Sequence, residues 1–208
     1  MKKVEEKKSK LPEKGYKFFK SILGVVYRFL YNPKIIGKEN IPKEGPIIIA
    51  ANHRHLMDQC GPIIATKRVI HFWAKKEYFD KKRTAWFFKM SGCIPVNRQI
   101  HDDNAKNEAM KVLLDGKALG IFPEGTRNRT KEFLLPFKFG CVSMAKKTDA
   151  YIVPIGISGD YKFRTKNLVY LIGKPFKVGE MDLEEANKKL ANEIGNLMKN
   201  GQKIINKK

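Results

Sequence analysis

Short apolar runs alternate with segments of helical periodicity through most of the chain. Apolar runs of about four to eight residues between turn residues are typical of buried strands. They lie at residues 46–51, 69–73, 118–122, 151–155 and 168–172. Apolar residues at helical spacing fill residues 101–114 and 140–147. Strands that alternate with helices predict a single α/β domain whose mostly parallel central sheet is flanked by helices.

A further helix is predicted near the C-terminus. Asp182 is a suitable N-cap residue, and Glu185 follows it at the spacing of a capping box. The apolar residues that follow lie on one helical face; they are Leu183, Ala186, Leu190, Ile194 and Leu197. We predict a helix that packs on the sheet and takes no part in chemistry.

The N-terminal region has a different pattern. Residues 1–14 are predicted to be a basic tail, and residues 15–38 an amphipathic helical region with aromatic side chains between Lys and Arg. The same stripe would fit a helix packed on the core, but aromatic and basic side chains together favour an anionic membrane surface. The predicted membrane contacts are Phe19, Leu23 and Tyr27. The α/β domain is then expected over residues 39–208.

Residues 81–90 repeat this mixture of aromatic and basic side chains. We predict a second membrane-touching element there, with Trp86 and Phe87 as its contacts. An ordinary buried helix explains the same residues equally well.

The net charge of the chain indicates that its partners are anionic. Its 42 Lys and Arg residues against 21 Asp and Glu residues give a formal net charge of +21. Phospholipid headgroups, nucleic acid, phosphorylated metabolites and acidic carrier proteins are therefore the natural partners. No apolar run approaches the roughly 18 residues that span a bilayer, and no signal peptide is recognisable. We expect a peripheral or monotopic protein at the cytoplasmic face of the membrane.

The cysteines agree with a reducing compartment. Cys60, Cys93 and Cys141 are odd in number and widely spaced. This pattern favours neither a disulfide framework nor a zinc site.

A candidate catalytic pair directly follows the first long strand. In open α/β sheets, reactive groups gather beyond the carboxyl ends of strands, and His53 and Asp58 lie there. Five residues apart on one helix, they would point away from each other, so they can pair only if His53 lies in the turn before the helix. Asp58 could then orient the imidazole as a general base. A structural histidine beside a capping aspartate is the alternative, and His55 raises the further alternative of a metal site.

A second polar block follows the strand at residues 118–122. Gly125 permits a tight turn, Thr126 can donate a hydroxyl, and Arg127 can bind phosphate oxygens through two hydrogen bonds. Arg98, at the end of another short apolar segment, is a second candidate for an anion. A plain turn is the alternative for this block.

Several common catalytic motifs are absent from the sequence. It contains no Gly-x-Ser-x-Gly elbow, no phosphate-binding G-x-x-x-x-G-K-[ST] loop and no G-x-G-x-x-G. A base with an orienting carboxylate, together with arginines for a phosphate, suits direct attack of a substrate hydroxyl on an activated acyl group.

These blocks, in this order and spacing, closely resemble the 1-acylglycerol-3-phosphate acyltransferase family and its glycerolipid acyltransferase relatives. The resemblance runs from about Ile41 to Pro175. The matching blocks are Asn52 to Asp58, Gly92 to Arg98, Phe122 to Arg127, Phe137 to Gly140 and Val153 to Ile155.

The resemblance implies roles for individual residues. It implies that His53 and Asp58 form the catalytic pair, and that Pro154 shapes the floor of the site. The acceptor phosphate would be bound by Arg98, Glu124, Gly125 and Arg127. The family often has Ser where this chain has His55, which puts the local hydrogen bonding in doubt.

The function expected from the resemblance is acyl transfer to the free hydroxyl of 1-acylglycerol-3-phosphate, giving phosphatidic acid in phospholipid biosynthesis. The donor would be acyl-CoA or acylated acyl carrier protein, with no cofactor or metal and no covalent enzyme intermediate. One alternative is the same chemistry on glycerol-3-phosphate or another lysophospholipid. A remote alternative is a basic, non-enzymatic nucleic-acid-binding protein, since the high pI of about 9.9 and the interleaved aromatics would suit one. For the expected acyltransferase, we expect no nucleic acid among the partners.

Overall fold

The computed structural model describes residues 14–97, 99, 100 and 102–207, without the side chain of Lys14. The predicted basic tail therefore lies outside the described residues, except for the backbone of residue 14. The strands are β1 (Lys34–Ile36), β2 (Ile47–Ala51), β3 (Ile70–Lys75), β4 (Ile94–Val96), β5 (Ala118–Ile121), β6 (Tyr151–Ser158) and β7 (Val169–Ile172). The α-helices are α1 (Lys14–Tyr31), α2 (Cys60–Ala65), α3 (Glu77–Asp80), α4 (Lys82–Met90), α5 (Asp103–Leu114), α6 (Gly140–Thr148) and α7 (Leu183–Asn206). One turn of 3-10 helix spans Lys38–Asn40.

The strands form one sheet in the order β1-β7-β6-β2-β5-β3-β4. Its neighbouring strands pair in parallel, except that β6 and β7 are antiparallel. The prediction of an α/β domain with a mostly parallel sheet is confirmed. Strand β2 lies between β6 and β5, so the turn that follows it opens at the middle of the sheet.

Alternate residues of the central strand are buried on opposite faces of the sheet, as the pleat requires. Ile48 and Ala50 belong to the core cluster under α5, α6 and α7. Ile47 and Ile49 belong to the cluster that α1 and α2 cover. Because both faces are covered, the apolar residues of this strand form a continuous run, the pattern that predicted it.

Helices α5 and α7, on the first face, have the N-caps that their sequences favour. Asp182 accepts a hydrogen bond from the backbone N–H of Glu185 at 2.8 Å, as predicted for the start of α7. Asp102 accepts one from Ala105 at 3.0 Å at the start of α5. Each such cap contributes about 1 kcal/mol to helix stability.

Two strands were not predicted from the sequence. β1 and β4 are three residues long, and each lies at an edge of the sheet. Such short strands carry too few residues to show an alternating pattern. β1 pairs with β7, so the sheet begins at Lys34, ahead of the expected domain start at residue 39.

Helix α1 is present, but it buries part of the face that was predicted to meet a membrane. Tyr27 is 1% exposed, and its hydroxyl contacts that of Tyr170 at 2.6 Å. The prediction of a membrane contact at Tyr27 is therefore wrong, because that side of the helix packs on the sheet. Phe19 and Leu23 are half-buried. The exposed apolar side chains of α1 are Phe18, Ile22, Val25, Val26 and Phe29.

Helix α4 has no buried residue among those described. Trp86 is 53% exposed and Phe87 is 39% exposed, which contradicts the alternative of an ordinary buried helix. Phe19 of α1 contacts both rings, at centroid distances of 5.5 and 5.1 Å. The two helices thus form one continuous surface.

Within the described part of the chain, no helix is both long enough and apolar enough to cross a membrane.

Candidate active site

His53 and Asp58 meet beyond the carboxyl end of β2. The imidazole Nδ1 lies 2.8 Å from Asp58 Oδ2, with His53 in the turn and Asp58 just ahead of α2. The structure thus brings the two residues together in the arrangement that their spacing required. This hydrogen bond uses Nδ1, so Nε2 is the ring nitrogen that does not contact Asp58.

The Asp58 carboxylate is fully buried and accepts several hydrogen bonds. Oδ2 also accepts from the backbone N–H groups of Arg54 and His55, at 2.6 and 2.7 Å. Oδ1 accepts from the hydroxyl of Tyr161 at 2.5 Å. A carboxylate without water is stable only when such donors replace its hydration, so this set favours the ionised form.

Glu124 anchors the backbone around His53. Its Oε1 accepts from the N–H of His53 at 2.7 Å, and its Oε2 accepts from the N–H of Leu135 at 3.0 Å. Burial raises the pKa of this carboxyl above its usual range, and the two backbone bonds oppose that shift. Both carboxylate oxygens thus accept from backbone groups that flank the site, and the contact of Glu124 with the acceptor phosphate stays a prediction.

Two asparagines hold the strand ends around this turn, Asn52 through its side-chain amide and Asn128 through its backbone N–H. Asn52 bridges β2 to β6 by bonding both the C=O and the N–H of Ile157, at 3.1 and 2.7 Å. The N–H of Asn128 donates to the C=O of His53 at 2.6 Å. Together they hold the loop after β5 against the turn after β2.

The His53 ring lies between two cavities. It stacks on Phe122, with ring centroids 4.0 Å apart and planes 13° apart. One cavity, of about 550 Å³, has a mainly apolar lining contributed by α1, α2 and α4, including Leu23, Ile63 and Phe88. The other, of about 490 Å³, lies towards α5 and α6. His53 lines both of them.

The smaller cavity holds basic and polar groups beside the reactive ring. Lys106, Lys138 and Asn97 line it, together with Gly125. Gly125 has a φ of 71°, and a Cβ there would lie 2.8 Å from Cε of Lys138. Glycine therefore permits both the turn and the approach of the lysine.

The predicted phosphate-binding residues do not all face one cavity. Gly125 lines the smaller cavity, Arg127 lines the larger one, and Thr126 is exposed. Arg98 lies outside the described residues, next to Asn97. Pro154 is in register with Ala50 within the sheet, and both cavities, as the described residues bound them, leave it out.

Sequence reasoning missed Tyr161 and Asn128. Tyr161 contacts Asp58 from 103 positions away, and no pattern links two residues at that distance. The available signal was that Tyr161 follows the carboxyl end of β6, the neighbour of β2 in the sheet.

The described residues include no group of three or more His, Cys, Asp and Glu side chains placed to hold a metal ion. His55 instead stacks on the ring of Tyr161, with centroids 4.0 Å apart. Its Nδ1 accepts a long hydrogen bond from the N–H of Met57 at 3.3 Å.

Comparisons with known proteins agree with this geometry. A family model described as Acyltransferase matches residues 32–158. The chain is 32% identical over 166 residues to the 1-acyl-sn-glycerol-3-phosphate acyltransferase of Bacillus subtilis, covering 77% of this chain and 81% of that protein. It is 35% identical over 141 residues to the protein of the same name from Borreliella burgdorferi, covering 67% of this chain and 56% of that protein.

A solved structure shares the fold. The crystal structure of the 1-acyl-sn-glycerophosphate (LPA) acyltransferase PlsC from Thermotoga maritima superposes with a TM-score of 0.72 at 25% identity. The match covers 87% of this chain and 77% of that chain.

The sheet, the histidine and aspartate at its carboxyl edge and these matches define an enzyme that transfers acyl groups. The chain belongs to the Acyltransferase family, whose model matches more than half of its length. This assignment contradicts the alternative of a non-enzymatic nucleic-acid-binding protein.

Proposed function

We propose that the protein transfers a fatty acyl group to the free hydroxyl of 1-acylglycerol-3-phosphate, giving phosphatidic acid. The donor is acyl-CoA or acylated acyl carrier protein, with neither a cofactor nor a metal taking part. The observation that carries the proposal is the His53 to Asp58 hydrogen bond of 2.8 Å at the junction of two cavities, of which the smaller is lined by Lys106 and Lys138 as well as Asp102. The names of the relatives support the acceptor.

In this proposal His53 is the general base. Asp58 holds the proton on Nδ1, so the lone pair of Nε2 is free to accept the proton of the substrate hydroxyl. The hydroxyl oxygen attacks the thioester carbonyl carbon, and the C–S bond breaks as the tetrahedral intermediate collapses. The imidazolium returns its proton to the departing thiolate. Asp58 stays ionised throughout and stabilises the imidazolium between these steps.

The two cavities suit the two parts of the reaction. The acyl chain fits the larger, apolar cavity between α1, α2 and α4, where its burial contributes about 0.8 kcal/mol per methylene group. The acceptor phosphate fits the smaller cavity, where Lys106 and Lys138 supply positive charge. Arg98 and Arg127 stay predicted phosphate contacts.

A membrane surface is the proposed site of action, at the cytoplasmic face and without a spanning helix. Helix α1 has exposed apolar side chains, and its half-buried Phe19 contacts the exposed rings of Trp86 and Phe87 of α4. Lys17 and Arg28 are exposed on α1 as well, within a chain of net charge +21. Aromatic and aliphatic side chains mixed with Lys and Arg bind anionic bilayers by burial and by charge together.

The test incubates the purified protein with lysophosphatidic acid and each acyl donor in turn, and identifies products by mass spectrometry. Phosphatidic acid is the expected product. Parallel reactions with glycerol-3-phosphate and with other lysophospholipids test the alternative acceptors. A higher kcat/KM for one of these would replace the proposed acceptor while leaving the chemistry in place.

A further inference from the structure

Three tyrosine hydroxyls form a hydrogen-bonded chain behind the catalytic pair. Tyr161 donates to Asp58 Oδ1 at 2.5 Å. Its oxygen lies 2.7 Å from the hydroxyl of Tyr170, and that hydroxyl lies 2.6 Å from the hydroxyl of Tyr27. The chain thus begins in helix α1, crosses strand β7 and ends on the carboxylate that holds His53.

The direction of donation along this chain is fixed by the number of protons. An ionised carboxylate only accepts, so the single proton of Tyr161 points at Asp58. Tyr170 must then donate to Tyr161, and Tyr27 must donate to Tyr170. Burial raises the pKa of all three hydroxyls well above the usual range, which keeps them protonated donors. Successive donors polarise one another, so the last bond to Asp58 is strengthened.

The Tyr161 ring is held from two sides. His55 stacks on it at 4.0 Å, and Tyr31 of α1 meets it edge-on at 5.4 Å. Tyr170 is equally confined, because a Cβ on Gly61 of α2 would lie 2.2 Å from its ring. His55, the residue that replaces the usual serine of the family, therefore packs against the ring that supplies a donor to Asp58.

The loop that carries Tyr161 is also tied to α1. The N–H of Arg164 donates to the C=O of Leu30 at 2.8 Å, and its guanidinium lies 5.2 Å from the Phe29 ring centroid. Phe163 meets the Phe29 ring at 6.1 Å. Helix α1 therefore contacts both the ring of Tyr161 and the loop that follows it.

We propose that Tyr161 is a positioning residue that fixes the charge and orientation of Asp58, and that the hydroxyls of Tyr170 and Tyr27 couple this function to the seating of helix α1. The inference rests on the proposed general-base role of His53. The hydroxyl chain stabilises the carboxylate that in turn stabilises the imidazolium formed during transfer. It also excludes water from Oδ1.

Other titratable groups face Asp58 from the surrounding elements. His53 and His55 lie on its own turn, Cys60 begins α2, and Glu124 comes from the loop after β5. Replacing Tyr161 by Phe keeps the ring and all these groups, and it removes one donor. The comparison therefore isolates the hydroxyl.

The first experiment measures pH profiles of kcat and of kcat/KM for Tyr161→Phe. Loss of a hydrogen bond to a charged group predicts a fall in kcat of about tenfold to hundredfold, with little change in the KM for the acceptor. Removing a donor from an ionised carboxylate makes the pair more basic, so the acid limb of kcat/KM moves to higher pH. Tyr27→Phe produces a smaller change in the same directions.

The matched control is Tyr151→Phe. This tyrosine lies at the start of the strand that precedes Tyr161, and its exposed ring lies under Lys177. The control keeps wild-type kinetics. A thermal melt of each variant checks that it is folded. Wild-type kcat and an unmoved acid limb in Tyr161→Phe overturn the inference.

A second measurement separates this inference from the proposed function. The downfield proton resonance of the His53 Nδ1–H to Asp58 hydrogen bond is compared by NMR in wild type, Tyr161→Phe and Tyr151→Phe. We expect a shift in Tyr161→Phe alone, and an identical resonance in all three overturns the inference even without turnover. Absence of acyl transfer by the wild type with every donor and acceptor overturns the proposed function instead.

Discussion

Around Asp58, the hydrogen-bond donors come from two separate parts of the chain. The backbone N–H groups of Arg54 and His55 come from its own turn, and the phenol comes from the loop after β6. With this many donors, the carboxylate can remain ionised while fully buried. Its charge then fixes the tautomer of His53, which is what a general base needs.

Replacing Asp58 by Asn tests that role directly. The amide can no longer hold the imidazole in the required tautomer, so kcat for acyl transfer falls by about 10³-fold or more, as the same aspartate-to-asparagine change does in serine proteases. Asp149→Asn is the control, since Asp149 is an exposed residue at the end of α6, paired with Lys177. A kcat for Asp58→Asn within tenfold of the control contradicts the role.

Glu124→Gln tests the anchoring of the His53 loop. One amide oxygen can still accept, but the amide nitrogen then faces a backbone N–H of His53 or Leu135. Loss of one charged hydrogen bond predicts a drop of about 1.5–3 kcal/mol in the free energy of unfolding, measured by urea denaturation. The exposed Glu132→Gln is the control, and equal stabilities of the two variants would show that the anchor is unimportant.

Individual residues of the site were only partly predictable. His53, Asp58 and Gly125 were found because their spacing and their place after apolar strands are visible in the sequence. Tyr161 was not, since its contact with Asp58 depends on the order of strands in space. Tyr27 was assigned to the wrong surface because helical periodicity shows a stripe without showing what covers it.

At the scale of elements, helix α1 contributes apolar side chains both to the core and to the exposed surface. Tyr16 and Tyr27 are buried against the core, whereas Phe18 and Val25 of the same helix are exposed. A helix with apolar residues on both sides has to be covered on both, and the proposed cover is a bilayer.

The double variant Phe18→Glu, Val25→Glu tests this surface. Each apolar side chain buried in a bilayer contributes about 1.5–3 kcal/mol, so binding to vesicles of phosphatidylglycerol and phosphatidylcholine falls by at least about tenfold in flotation. Leu114→Glu, which places the same charge at the exposed end of α5, is the control. Unchanged recovery of the double variant with the vesicles would remove the proposed membrane surface.

The longer strands were predicted correctly from the sequence. β2, β3, β5, β6 and β7 were predicted because covered faces require continuous apolar runs. β1 and β4 were not, because a three-residue edge strand depends on the neighbour that it pairs with. The same holds for the antiparallel pairing of β6 and β7, which no local pattern encodes.

At the scale of the whole molecule, two buried thiols and the half-buried thiol of Cys93 make stability depend on pH. Burial raises the pKa of Cys60, Cys93 and Cys141 to about 12, from an ordinary value of 9.0. Between these values the unfolded chain has lost the thiol protons and the folded chain has kept them. The contribution of the protonated thiols is therefore fully present below pH 9.0 and is lost as the pH rises towards 12.

We accordingly predict that the free energy of unfolding falls with rising pH above about 9, by up to about 1.4 kcal/mol per pH unit for each thiol. Urea denaturation at several pH values between about 8 and 10.5 measures the slope. Cys141→Ala removes one of the thiols and gives a shallower slope than the wild type. Identical slopes in the two proteins contradict the prediction.

The central claim is that His53 takes the proton of the acceptor hydroxyl. The most direct measurement is kcat for the acylation of lysophosphatidic acid by His53→Ala, in a variant whose thermal melt shows it to be folded. The account predicts a loss of at least about 10²-fold, the contribution of a general base. A kcat within a few-fold of the wild-type value would contradict it.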